Sequence, residues 1–141
     1  MSGKPESGAG FHWPVRVYWE DTDAGGVVYY ANYLRFMERA RSEWLRALGF
    51  EQDELRDESG VVFVVRRVEV DYLSPARFND SIDVEVKLHQ MGQASFSVDQ
   101  VLTRGPTRLV TARVTLACVD VARFKPVKIP EPILLALTSL T

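Results

Sequence analysis

The segment NYLRFMERARSEWLRALG (residues 32–49) changes the rhythm of the chain. Tyr33, Phe36, Met37, Ala40, Trp44 and Leu48 recur at steps of three and four, while Arg35, Arg39, Arg41, Glu43 and Arg46 face elsewhere. A stripe of that period predicts an amphipathic helix of about four turns. Gly49 supplies a C-terminal stop and Asn32 a candidate cap. Upstream, WPVRVYWE (residues 13–20) alternates with Val15, Val17 and Trp19 on one face, the period of a strand.

Downstream, the alternation is of period two. VVFVVRRVEVDYL (residues 61–73) begins as an apolar run and continues with Val68, Val70 and Tyr72 on one face, until Pro75 stops it. Ile82, Val84, Val86 and Leu88 mark the next strand, Phe96 and Val98 another, and Val110 to Cys118 the last. Met91-Gly92 and Gly105-Pro106 are hairpin-sized breaks. The order is one strand, one long helix, then four strands in an antiparallel meander. Segregation of helix from strands predicts an α+β domain with a sheet packed on one face by a helix. FKPVKIPEP (residues 124–132) is expected to be an extended edge, and residues 133–140 a short terminal helix.

The chain has 141 residues, enough for one domain, expected to span 11–141 after a small, polar leader at 1–10 that reads as disordered. A net charge of −2 argues against nucleic-acid binding, because no excess of cations is present to displace counterions from phosphates. The single cysteine, Cys118, lies in an apolar strand pattern and reads as core; its solitude fits a reducing compartment. No run of about 18 apolar residues exists, so membrane insertion is not expected and a cytoplasmic location is the default. His12 and His89 have no partner at ligand spacing, so neither a metal nor another cofactor is expected.

Preceding the helix is YWEDTDAGGVVYY (residues 18–30), with Glu20, Asp21 and Asp23 crowded ahead of two glycines. An EF-hand loop begun at Asp21 would put Gly26 at its sixth position, but Gly25 at the fifth offers no side chain and Asn32 stands where a glutamate is needed. Nucleophile-elbow and phosphate-loop signatures are absent. Two readings remain: plain turn chemistry, or a carboxylate working alone. In the second, Asp23 sits near a helix entry whose free N–H groups suit an oxyanion, and Val27, Val28, Tyr29 and Tyr30 form an apolar wall.

FHWPVRVYWEDTDAGGVVYYANYLRFMERARSEWLRALG (residues 11–49) resembles the opening of the 4-hydroxybenzoyl-CoA thioesterase family, in particular its YbgC-type, Tol-Pal-associated acyl-CoA thioesterases. The likeness continues through residues 63–86 and 117–130. It implies a hotdog fold, a curved antiparallel sheet wrapped around one long helix. It also implies hydrolysis of an acyl-CoA thioester by a homodimer or homotetramer whose sheets join edge to edge, with active sites at the subunit boundary. Asp23 matches the catalytic carboxylate, as nucleophile or general base, and Tyr30 the residue whose backbone N–H polarises the thioester carbonyl. Val28, Tyr29 and Arg66 are the expected substrate-binding residues. In two places the chain departs from the pattern. Tyr30 stands where YbgC-type relatives often carry His, and the turn HQMGQAS (residues 89–95) lacks the Arg or Lys often found near the CoA phosphates. Those departures motivate an alternative: a hotdog protein that binds acyl-CoA or an acyl-carrier protein without turnover.

Overall fold

The computed structural model describes residues 10–140. The expected leader lies outside the described residues apart from Gly10. Strands β1 (Phe11–Arg16), β2 (Val61–Tyr72), β3 (Ser81–Met91), β4 (Ser95–Arg104) and β5 (Thr107–Asp120) form one antiparallel sheet. The α-helices are α1 (Asn32–Ala47), the single turn α2 (Gln52–Glu54) and α3 (Glu131–Thr138), with a π-helical turn at Leu55–Ser59.

The strand order is β1-β3-β4-β5-β2. The hairpins at Met91-Gly92 and Gly105-Pro106 fall as expected, so β3, β4 and β5 do form a meander. β2 does not join it. It pairs with β5 instead, from Val61 opposite Asp120 to Tyr72 opposite Val110. The connection after β2 explains why. Leu73 and Ser74 donate to the Leu109 carbonyl at its start, while Asn79 donates to the Val17 carbonyl at its end, which carries the chain from β5 across to β1. Alternation reports which residues share a face, not which edge a strand joins.

This arrangement corrects the expectation of a curved sheet wrapped around one long helix. The sheet is open, with β1 and β2 as separate edges, and the helical residues are divided among three helices. What the chain forms is a hotdog-like α+β fold with α1 laid over β3 and β1. Phe36, Met37 and Ala40 of α1 are wholly buried, as are Val84 and Val86 of β3 and Val98 and Leu102 of β4. Each large side chain so placed stabilises the fold by about 1.5–3 kcal/mol relative to exposure. Gly49 ends α1 in the left-handed region, at φ 101°, where a Cβ would be strained.

Three further local expectations need correction. Arg41, assigned to the polar face of α1, is buried; its Nη1 donates to Gln100 Oε1 at 3.0 Å, and Gln100 Nε2 donates to the Met37 carbonyl at 3.1 Å. The first strand stops at Arg16, because a 3₁₀ turn at Trp19–Asp21 breaks the alternation. Trp19, expected to point inward with Val17, is exposed and stacks on Phe78 with ring centroids 3.7 Å apart. The proline-rich segment, expected as an extended edge, does run beside β5, through an isolated antiparallel bridge between Val119 and Pro126 and a bond from the Val127 N–H to the Cys118 carbonyl at 2.9 Å. Cys118 is buried in β5, as its pattern implied, and burial pushes its thiol pKa up.

Candidate active site

The acidic loop is a tight hairpin. Thr22 and Val28 form an antiparallel bridge, the Asp23 N–H donates to the Val27 carbonyl at 2.9 Å, and the Gly26 N–H returns to the Asp23 carbonyl at 3.0 Å. Gly26 closes the turn at φ 80°, a conformation that glycine adopts without cost. The two aspartates have different tasks. Asp21 is buried: Oδ2 accepts the Tyr18 N–H at 2.8 Å, and its carbonyl accepts the Tyr29 N–H and Asn32 Nδ2, each at 2.9 Å. It fastens the loop. Asp23 is exposed, and only Oδ1 is engaged, accepting the Gly25 N–H at 2.8 Å in an Asx turn.

Beyond the loop the chain enters α1. Asn32 does not cap it; Ala31 holds the cap position with helical dihedrals and no side-chain bond. The Asn32 N–H donates to the Tyr29 carbonyl and the Tyr33 N–H to the Tyr30 carbonyl, whereas the N–H groups of Tyr30 and Ala31 find no acceptor among the described residues. Unsatisfied N–H groups at a helix start carry partial positive charge and favour an anion or a developing oxyanion.

Next to this tip lies an open cavity of about 250 Å³, lined by Val28, Tyr30, Tyr33, Tyr72, Leu73 and the Ser74-Pro75 step. Its rings are mutually packed: Tyr30 meets Tyr72 edge-on at 6.1 Å, and Tyr33 meets Tyr72 at 5.7 Å. Tyr33 is buried, and its hydroxyl accepts the Ala76 N–H at 2.9 Å. Burial pushes the phenol pKa of Tyr33 up, despite the opposing Ala76 N–H, and partial desolvation together with the neighbouring Tyr30 and Tyr33 phenols raises that of half-exposed Tyr72. Both phenols are therefore neutral at pH 7.

Of the residues singled out in the sequence, Val28 and Tyr30 line this cavity. Tyr29 stands at its margin, half-exposed, with its ring 4.9 Å from that of Tyr30. Asp23 belongs to the adjoining hairpin rather than to the cavity wall. Arg66 is not brought to the site: it is exposed at a bulge in β2, where the register with β5 shifts between Val65 and Arg67. Phe63 also lies elsewhere, packed edge-on against Phe96 at 5.3 Å. Tyr72, Leu73 and Pro75 went unassigned in the sequence; the only signal was an aromatic residue closing a strand just before a proline. Arg77 was missed as well, and its backbone bridge to Val27 sets it beside the loop.

Among the described residues, no helix is long and apolar enough to cross a membrane. Over 124 residues the chain is 46% identical to the acyl-CoA thioesterase YbgC of Haemophilus influenzae, covering 88% of this chain and 91% of that one. It is 44% identical to the acyl-CoA thioester hydrolase YbgC of an Escherichia coli strain, covering 87% and 92% of the two chains. The crystal structure of a probable thioesterase from Bartonella henselae superposes with a TM-score of 0.78 at 36% identity, covering 86% of this chain and 99% of that one. With residues 17–137 matching the model of the Thioesterase-like superfamily as well, the chain belongs to that superfamily.

Proposed function

We propose that this protein is an acyl-CoA thioesterase, hydrolysing a thioester to a free acid and CoA, with Asp23 as the reacting carboxylate and the Tyr30 N–H as oxyanion donor. The observation that carries this reading is the pair of unengaged N–H groups at the α1 tip, between an aromatic cavity and a hairpin bearing an aspartate with one free oxygen. The relatives named as acyl-CoA thioesterases support it.

In the reaction, the thioester carbonyl oxygen accepts the Tyr30 N–H, which stabilises the negative charge that forms there as the carbonyl carbon becomes tetrahedral; one such donor is worth about 10²–10³ in rate. Asp23 then works in one of two ways. As a nucleophile, its oxygen bonds to the carbonyl carbon, the C–S bond breaks, and water hydrolyses the resulting anhydride. As a general base, it takes a proton from water while the hydroxide oxygen attacks, and that proton leaves with the thiol. Neutral Tyr33 and Tyr72, with Val28 and Leu73, give the acyl group an apolar, aromatic wall.

The same reading includes a homodimer in the cytoplasm. β2 is a twelve-residue edge strand with Val65, Val68 and Tyr72 exposed. An open apolar edge of that length invites pairing, and a second copy would cover it. The buried, solitary Cys118 suits a reducing compartment.

The test is thiol release from a panel of short, long and aromatic acyl-CoA thioesters, with light scattering for oligomeric state. Turnover of at least one member supports the reading; a dimer that binds the panel but turns over none of it refutes it.

A further inference from the structure

A second cavity, of about 470 Å³, lies between α1 and the start of β2, with Arg41, Ser42, Leu45, Phe63, Val65 and Leu116 in its walls. Arg41 is 8% exposed, yet it forms no ion pair among the described residues. Its single hydrogen bond runs from Nη1 to the neutral Gln100 side chain. No side-chain nitrogen or oxygen among the described residues is both occluded and unbonded, so the Nε and Nη2 donors of Arg41, a residue of the cavity wall, keep some accessible surface. Ser42 adds a hydroxyl: its oxygen accepts Gln52 Nε2 at 2.9 Å, and its proton has no acceptor among the described residues. Glu38 and Gln52 also contribute to the lining, and Leu45, Phe63, Val65 and Leu116 belong to its apolar part.

A buried guanidinium without an ion-pair partner is costly. Burial lowers the Arg41 pKa, and the charge of Glu38, one turn back on α1, only partly opposes it. Glu38 is exposed at the cavity mouth and more than an ion-pair distance away. A planar fork of donors in a cavity wall matches a carboxylate better than any neutral group.

This cavity and the one at the helix tip share two elements. Tyr30, Leu34, Arg41 and Leu45 follow at steps of four, seven and four, one stripe along the α1 entry and helix. β2 runs beside it, with Tyr72 at the tip cavity and Phe63 to Val65 at the other. Arg41 lies about 15 Å along the axis from Ala31, and a helical side chain leans back toward the N-terminus, which shortens the gap.

We infer that the Arg41 cavity is a carboxylate subsite, and that the acyl groups this protein prefers carry a terminal carboxylate remote from the thioester. This inference rests on the thioesterase reading and adds a substrate class to it. The ligand spans the stripe, its thioester at the helix tip and its far carboxylate on Arg41 Nε and Nη2 with the Ser42 hydroxyl.

Two measurements test it. The first compares kcat/KM for ω-carboxyacyl-CoA thioesters, succinyl through sebacoyl, with their methyl-ester-capped counterparts. At one length in the series the free carboxylate is favoured by at least about tenfold, and Arg41→Met brings the ratio close to one while Arg41→Lys keeps part of it. Glu38→Gln, on the exposed rim, raises the ratio. The second measures thermal stabilisation by the free dicarboxylates succinate, adipate, suberate and sebacate, in wild type and in Glu38→Gln. Stabilisation that peaks at one length and grows in Glu38→Gln supports the subsite even if no thioester is turned over, which would defeat only the thioesterase reading. Equal rates on free and capped chains at every length, or dicarboxylates that stabilise neither protein, overturn it.

Discussion

Asn32 binds the tip of α1 to the acidic loop: its side-chain Nδ2 donates to the Asp21 carbonyl at 2.9 Å. Because the Tyr29 N–H uses the same carbonyl, one oxygen fixes both the exit of the hairpin and the first residue of the helix. The separation between Asp23 and the free N–H groups at the tip is thereby set by a contact in which neither takes part.

Asn32→Ala removes that tie. Stability should fall by about 1 kcal/mol, the usual worth of one hydrogen bond, and kcat should fall by about tenfold as the two reacting groups lose alignment. Denaturant melts beside steady-state kinetics check this; an unchanged kcat with the stability loss would make the contact purely structural.

Tyr30 offers a separation of side chain from backbone. Tyr30→Ala keeps the N–H and opens the aromatic wall, so KM should rise with a modest change in kcat. Tyr30→Pro deletes the N–H itself, at a residue just ahead of the Ala31 cap whose N–H makes no hydrogen bond among the described residues. Its kcat should fall a further 10²-fold or so, the worth of one oxyanion donor. Equal kcat in the two variants would remove the backbone role.

Asp80 should give the fold an acid limit. Burial raises its pKa, but the Arg77 N–H and the Arg104 guanidinium, 2.8 Å away, outweigh it and hold the carboxyl below the usual range. A folded-state pKa below the unfolded value contributes stability above the unfolded pKa of about 4 and loses it as pH falls through the folded one. Asp80→Asn should therefore cost about 1 kcal/mol at pH 7, with the difference from wild type vanishing at acid pH. Urea melts across that range measure it.

Trp44 is 1% exposed and packs on Phe96 at 6.1 Å. Trp44→Ala leaves a large void under α1 and should destabilise the fold by about 3–5 kcal/mol. Thermal and chemical melts check the magnitude.

The sequence made α1 and the three meander strands legible because their apolar residues keep one period over a whole element. It misplaced Arg41, since helical spacing treats a charged residue as solvent-facing whereas burial is decided by what the sheet presents, in this case Gln100. It also missed the position of β2, which depends on the crossing from Leu73 to Asp80 rather than on β2's own residues. The helix-tip site was half legible. Val28 and Tyr30 follow the acidic loop directly, but Tyr72, Leu73 and Pro75 arrive from forty residues away in the chain, through the pairing of β2 with β5. Arg66 shows the converse: a cation read as a ligand contact stands at a bulge, apart from the cavity.

The most direct measurement is thiol release by Asp23→Asn beside wild type, on the thioester that wild type turns over fastest. Amide for carboxylate removes both nucleophile and base while preserving the oxygen that accepts the Gly25 N–H. The account predicts a fall in kcat of at least about 100-fold, with melting temperature and oligomeric state unchanged. A rate within a few-fold of wild type would contradict it.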